Sequence, residues 1–196
     1  MNTTMDRVKT LVQSALFAAL IFVSITMLSI PNPLGGIIHF GDAFIFLAAT
    51  MLPFPYALFT AAIGAGFANL ALGGTMWIPF TIIIKPLMTL CFSNKGEIIF
   101  SSKRNYIAPV VAGLINLILY YLATVILMTL GVVAIPDGGA GTAALGPWIA
   151  PMAGVPGDMI QFAGSATFYF VIAHTFDRLK IKEVFFRYQS KKSTLS

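Results

Sequence analysis

Charge is what this chain has least of. Lys and Arg number 12 and Asp and Glu 7, which is 10% of 196 residues. A soluble domain carries about a quarter charged residues. That scarcity, beside 58% hydrophobic residues, excludes an ordinary soluble fold and defines a membrane protein with one polytopic domain. Cys91 is the single cysteine, so an internal disulfide and a Cys-built metal site are both excluded. Neither G-x-x-x-x-G-K-[ST] nor H-E-x-x-H occurs, so the chain is not itself an ATPase or a zinc peptidase of that type. The acidic residues are scattered rather than clustered, which argues against a metal-dependent lipid enzyme. An intramembrane serine protease needs a His at the depth of its Ser. Ser14, Ser24, Ser29 and Ser165 are present, but His39 and His174 fall near opposite membrane faces in the topology below. No catalytic residue, metal or cofactor is therefore expected. The competing reading, beside an intramembrane enzyme, is a small transporter that works alone.

What is present is a succession of apolar runs punctuated by Pro and Gly. About 20 apolar residues span the hydrocarbon core. The runs predict six helices at about 11–30, 41–53, 55–73, 77–92, 107–135 and 155–176, followed by a basic tail over 177–196. Pro31 and Pro33 stop the first, because proline cannot continue a helix and restricts the residue before it. No cleavable leader is expected, since the first run continues to Ile30 and Pro31–Gly36 makes a poor cleavage site.

The placement of charge tests the count. Arg7 and Lys9 precede the first helix, and Lys95, Lys103 and Arg104 lie between the fourth and fifth. Arg178, Lys180, Lys182, Arg187, Lys191 and Lys192 follow the sixth. With six spans, these 11 of 12 basic residues share one side, while the loops 31–41 and 136–147 hold none. Basic loops stay in the cytoplasm, so both termini are expected there and the first loop outside.

That first loop, PNPLGGIIHFGD over 31–42, packs two prolines, three glycines, an amide, an imidazole and a carboxylate into twelve residues. Irregular backbone at membrane depth must line a protein cavity or sit at the water interface. It reads as the lid of a small-molecule site, carrying His39 and Asp42; Asp42 reads equally as a cap of the second helix. Lys85, in the middle of the fourth run, is costly in lipid and so marks a site or an internal pair with Asp42 or Asp158. Asn116 and Tyr120 are four apart and share a helix face, where amide and phenol suit a heteroaromatic ligand or an interhelical bond. Asp158 and Gln161 open the sixth helix on one face; Asp158 reads as a site residue or an N-cap. Asn69 reads as a packing hydrogen bond somewhat better than as a site residue. On the first helix Ala15-x-x-x-Ala19, with Ser14-x-x-x-Ala18 beside it, allows another backbone to approach closely, whether inside this chain or in another subunit.

The basic N-terminus, Ala15-x-x-x-Ala19, the Pro/Gly lid ending in Gly41-Asp42, and six spans in under 200 residues resemble the substrate-binding S components of energy-coupling factor (ECF) vitamin transporters. The resemblance covers about residues 11–176. The run IPNPLGG…FGDAFIFLAA is most similar to the subfamily for vitamin B6 compounds or hydroxymethylpyrimidine. The resemblance implies an all-α bundle of six transmembrane helices in the cell membrane of a bacterium. It implies a vitamin pocket near the outer face that maps onto His39, Asp42, Lys85, Asn116, Tyr120, Asp158 and Gln161. It implies a membrane-embedded T subunit, contacted through Ala15 and Ala19, and two cytoplasmic ATPases that supply the energy.

Overall fold

The computed structural model describes residues 4–31, 37–133, 146–182 and 184. The order is α1 (Thr4–Met27), β1 (Ser29–Pro31), β2 (Ile37–His39), α2 (Gly41–Met51), α3 (Phe54–Ala71), α4 (Ile78–Thr89), α5 (Arg104–Thr129), α6 (Gly146–Ile149) and α7 (Val155–Arg178). Single 3-10 turns at Thr75–Trp77, Ile99–Ser101 and Ala150–Gly154 lead into α4, α5 and α7. Among the described residues, the chain is an all-α membrane protein apart from one small antiparallel pair, which the sequence did not announce. In it Ser29 faces His39, Ile30 faces Ile38 and Pro31 faces Ile37. Pro31 is tolerated because a two-stranded pair has only edges.

The polarity is that of a body dissolved in lipid. Val12, Leu16, Phe59, Phe67, Ile83, Ile107, Leu114, Ile118 and Val171 are exposed on the outside, while Asp42, Lys85, Asn105, Asn116 and Gln161 are buried. The helices α1, α3 and α5 are each long and apolar enough to cross a membrane; α2 and the stretch Thr75–Thr89 are apolar but shorter. α7 is 24 residues long, and it carries Asp158, Gln161, Asp177 and Arg178.

Helix ends differ from expectation where side chains intervene. α1 begins at Thr4 rather than near 11. Its polar start is no obstacle, because Thr10 and Ser14 donate to the carbonyls of Asp6 and Thr10 at 3.0 and 2.8 Å. α5 ends at Thr129 rather than 135. Gly131 takes φ +70°, and the Gly131 and Val132 N–H groups donate back to the Met128 and Leu127 carbonyls at 3.0 and 2.9 Å. That is a Schellman stop, for which glycine is the favoured residue.

Two glycines set the helix spacing. A Cβ on Gly64 of α3 would stand 2.8 Å from the Ala18 carbonyl oxygen of α1, and one on Gly113 of α5 would stand 2.1 Å from Phe162 of α7. The first is a backbone-to-backbone approach and the second lets the Phe162 ring lie on the α5 backbone; close packing of this kind is one driver of helix association in lipid. Beneath the site, Phe46 stacks on Phe92 at 5.0 Å and both meet Tyr169 edge-on at 5.8 and 5.5 Å. This aromatic floor fixes α2 against α7. At the same end, Asp177 accepts from the Ile99 and Phe100 N–H groups at 2.7 and 3.0 Å, tying α7 to the turn before α5.

Candidate functional site

The short α2 is the element that makes the site. Nine of its eleven residues are buried. A helix buried on all sides must direct its one carboxylate at a partner. Asp42 therefore accepts from Lys85 Nζ on α4 at 2.6 Å and from Gln161 Nε2 on α7 at 3.1 Å. Lys85 donates a second bond to Asn116 Oδ1 on α5 at 2.9 Å. Its ammonium also lies 5.3 Å from the centre of the Tyr120 ring, a cation–π distance. Four helices are thus joined through one buried ion pair.

The strand β2 is bolted onto the same network. The His39 N–H donates to Gln161 Oε1 at 3.2 Å, and the His39 imidazole Nδ1 accepts from the Gly41 N–H at 3.3 Å. Ser165 Oγ lies 3.5 Å from the His39 carbonyl oxygen. Burial pushes the His39 imidazole down to about 4 from its usual 6.5, against the opposing pull of the Asp42 carboxylate. The ring is neutral, and its Nδ1 accepts a bond as a neutral imidazole does.

Above this network lies a cavity of about 230 Å³. His39, Lys85, Asn116, Tyr120, Asp158 and Gln161 line it, so six of the seven residues expected from sequence converge. Asp42 does not line it. Its carboxylate lies behind the wall and is spent on Lys85 and Gln161 rather than capping α2, whose N-cap makes no side-chain bond. Of the lid, Ile37 and His39 line the cavity, while Gly35 and Gly36 lie outside the described residues.

The walls hold more than was expected. Trp77 and Tyr120 form an aromatic side, their ring centres 6.2 Å apart and tilted by 44°. Asn69, read from sequence chiefly as packing, both lines the cavity and donates to Thr81 Oγ1 at 2.5 Å; Thr81 in turn shares a proton with the Tyr120 hydroxyl at 2.7 Å. Thr124 and Met128 extend the wall along α5. A signal for these existed, since 116, 120, 124 and 128 repeat every four residues and hold one face. Ala150, Pro151 and Gly154 close one side, and Trp148 of α6 is tethered by a hydrogen bond from the Tyr121 hydroxyl to its carbonyl oxygen. Nothing in the local sequence pattern placed this segment there.

Ala15 and Ala19 are exposed on the outer surface of α1. Ala18, one position away, instead backs onto Gly64. The small residues thus divide between internal packing and a free face. No residue of α1 lines the cavity.

Among the described residues, apolar helices gather around an aromatic, hydrogen-bonding cavity, an arrangement suited to a small molecule in a membrane protein. A family model described as ECF-type riboflavin transporter, S component, matches residues 5–178, and the chain belongs to that family. The family is a non-catalytic transporter component, and the expected S-component class is thereby established. No curated protein matches the chain.

Proposed function

We propose that this protein is the high-affinity vitamin-binding subunit of an ATP-driven ECF importer, and that its cavity takes a single-ring vitamin such as a B6 compound or hydroxymethylpyrimidine. Family membership supports the role. The observation that carries the ligand size is the cavity itself: about 230 Å³ is small beside the roughly 300–1,000 Å³ of pockets that enclose drug-sized ligands. A three-ring flavin with its sugar-alcohol tail belongs to the larger class. The ring of the vitamin lies against Tyr120 and Trp77, and its polar edge meets Lys85, Asn116, Asp158 and Gln161. The reading that the family's description favours is riboflavin.

Six spans with both termini in the cytoplasm complete the proposal, supported by the one-sided distribution of Lys and Arg. The partners are a membrane T subunit, docking along Ala15 and Ala19, and two ATPases. Mass spectrometry of ligand retained on the purified protein tests the ligand. A B6 compound or hydroxymethylpyrimidine is expected, and retained flavin overturns the single-ring assignment. ATP-dependent uptake after reconstitution with the partners separates the subunit from a transporter that works alone.

A further inference from the structure

The charges around the cavity do not balance. Lys85 on α4 is matched by Asp42 on α2 at 2.6 Å. His39 on β2 is neutral, its Nδ1 accepting from a backbone N–H. Tyr120 on α5 shares its hydroxyl with Thr81 and carries no charge, and the Tyr121 hydroxyl donates to a carbonyl. Asp158 on α7 lines the same cavity, half-buried, and among the described residues its carboxylate receives no hydrogen bond. It feels Lys85 and Asp42 electrostatically, but Lys85 is already committed to Asp42 and Asn116. One carboxylate is left without a partner in a cavity whose one cation, Lys85, is already matched by Asp42. An unpaired charge in such surroundings is costly unless a ligand meets it.

We infer that Asp158 is the specificity-determining residue, and that it selects a vitamin presenting a protonated ring nitrogen with an adjacent N–H donor, as an aminopyrimidinium ring does. This rests on reading the cavity as the vitamin site. The two donors of such a ring edge match the two oxygens of a carboxylate, the geometry that makes bidentate charge-assisted pairs strong. At a pH above the ring pKa, the ring nitrogen takes one proton from the buffer, whose conjugate base stays in solution, and becomes N–H⁺; no bond to the protein forms or breaks. The ligand's positive charge then cancels the uncompensated carboxylate. A flavin ring, which is not protonated near neutrality, leaves it uncancelled.

The test is calorimetry on the purified full chain with four probes: pyridoxine, pyridoxamine, 4-amino-5-hydroxymethyl-2-methylpyrimidine and riboflavin. Titrations are run in buffers of different ionisation enthalpy, above the ring pKa of each probe. The expected result is binding of the aminopyrimidine probe with uptake of about one proton, and an affinity that falls about tenfold per pH unit, since one unit is one factor of ten in the protonated fraction. In Asp158→Asn, affinity is expected to drop at least tenfold and the proton uptake to vanish. That variant is isosteric and breaks no hydrogen bond among the described residues, so an unchanged melting temperature accompanies the loss. Wild-type binding without proton uptake, equal binding by Asp158→Asn, or binding of riboflavin alone each overturns this inference and leaves the vitamin-receptor reading standing. Failure of all four probes to bind overturns that reading, and this one with it.

Discussion

Asp42 and Lys85 meet at 2.6 Å with side chains only 4% and 3% exposed, joining the buried helix α2 to the middle of α4. Removing one member of a buried pair strands the other and costs about 3–5 kcal/mol, whereas replacing both with apolar groups of similar volume is often neutral. Asp42→Leu and Lys85→Met are therefore each expected to lower the melting temperature in detergent. The double variant is expected to recover most of it. Because Lys85 also faces the cavity, vitamin binding is not recovered. A double variant as unstable as the worse single one removes the pair from its structural role.

The Tyr120 ring and hydroxyl have separable roles. Tyr120→Phe keeps the ring beside Trp77 and Lys85 but deletes the bond to Thr81, a change worth about 1 kcal/mol. Tyr120→Ala also removes the aromatic wall. Calorimetry is expected to show a several-fold loss for Phe and a loss of roughly tenfold or more for Ala, since aromatic contacts add about 0.5–1.5 kcal/mol beyond area. Equal losses would mean that the ring contributes nothing to binding.

How far the site was legible follows from which residues lipid makes costly. Lys85, Asn116, Asp158 and Gln161 stood out because each interrupts an apolar run, and a polar group in such a run must converge on others. Proline and glycine likewise marked the breaks at Pro31, Pro53 and Gly73. What the pattern did not carry was direction. Asp42 and His39 are only three apart in sequence, yet the first, on α2, turns behind the wall and the second, on β2, into the cavity, a choice made by the antiparallel pairing of β1 with β2 and by Gln161 bridging both. The wall at 150–154 was hidden for a similar reason, because a short 3-10 turn has no periodicity to read.

Acid is expected to loosen the lid end. His39 titrates at about 4 in the fold against 6.5 when exposed, mainly because of burial. Between those values the unfolded chain binds a proton that the folded chain refuses, so stability is full above about pH 6.5 and declines as pH falls toward 4. A shift of this size amounts to roughly 3 kcal/mol. His39→Asn keeps an acceptor for the Gly41 N–H without a titrating ring. Its melting temperature is expected to depend less on pH over that window, and an identical pH profile would assign the dependence to another group.

Gly64 predicts its own intolerance. The atom nearest a new Cβ is the Ala18 carbonyl oxygen at 2.8 Å, which is backbone and cannot rotate away. Gly64→Val must push α1 off α3, and overpacking of this kind costs about 1–3 kcal/mol. Gly66, whose one neighbour is the Ile82 γ-methyl at 3.2 Å, provides the milder contrast: Gly66→Ala asks that methyl to give by only a few tenths of an ångström and is expected to cost less than Gly64→Val. Equal melting temperatures for the two variants would refute the close α1–α3 contact.

The outer face of α1 separates binding from transport. Ala15 and Ala19 are exposed there, whereas the neighbouring Ala18 is held against α3. Association within a bilayer gains little from hydrophobicity and depends on close packing, so small side chains mark where a second helix can approach. Ala15→Trp with Ala19→Trp fills that approach with two indoles. Neither residue touches the cavity, and no residue of α1 lines it. The double variant is therefore expected to melt normally and to bind vitamin with unchanged affinity, yet to lose co-purification of the T subunit and ATP-driven uptake together. Retention of both by a stable variant would move the docking face elsewhere on the bundle. Loss of vitamin binding with an unchanged melting temperature would mean that α1 shapes the cavity from a distance.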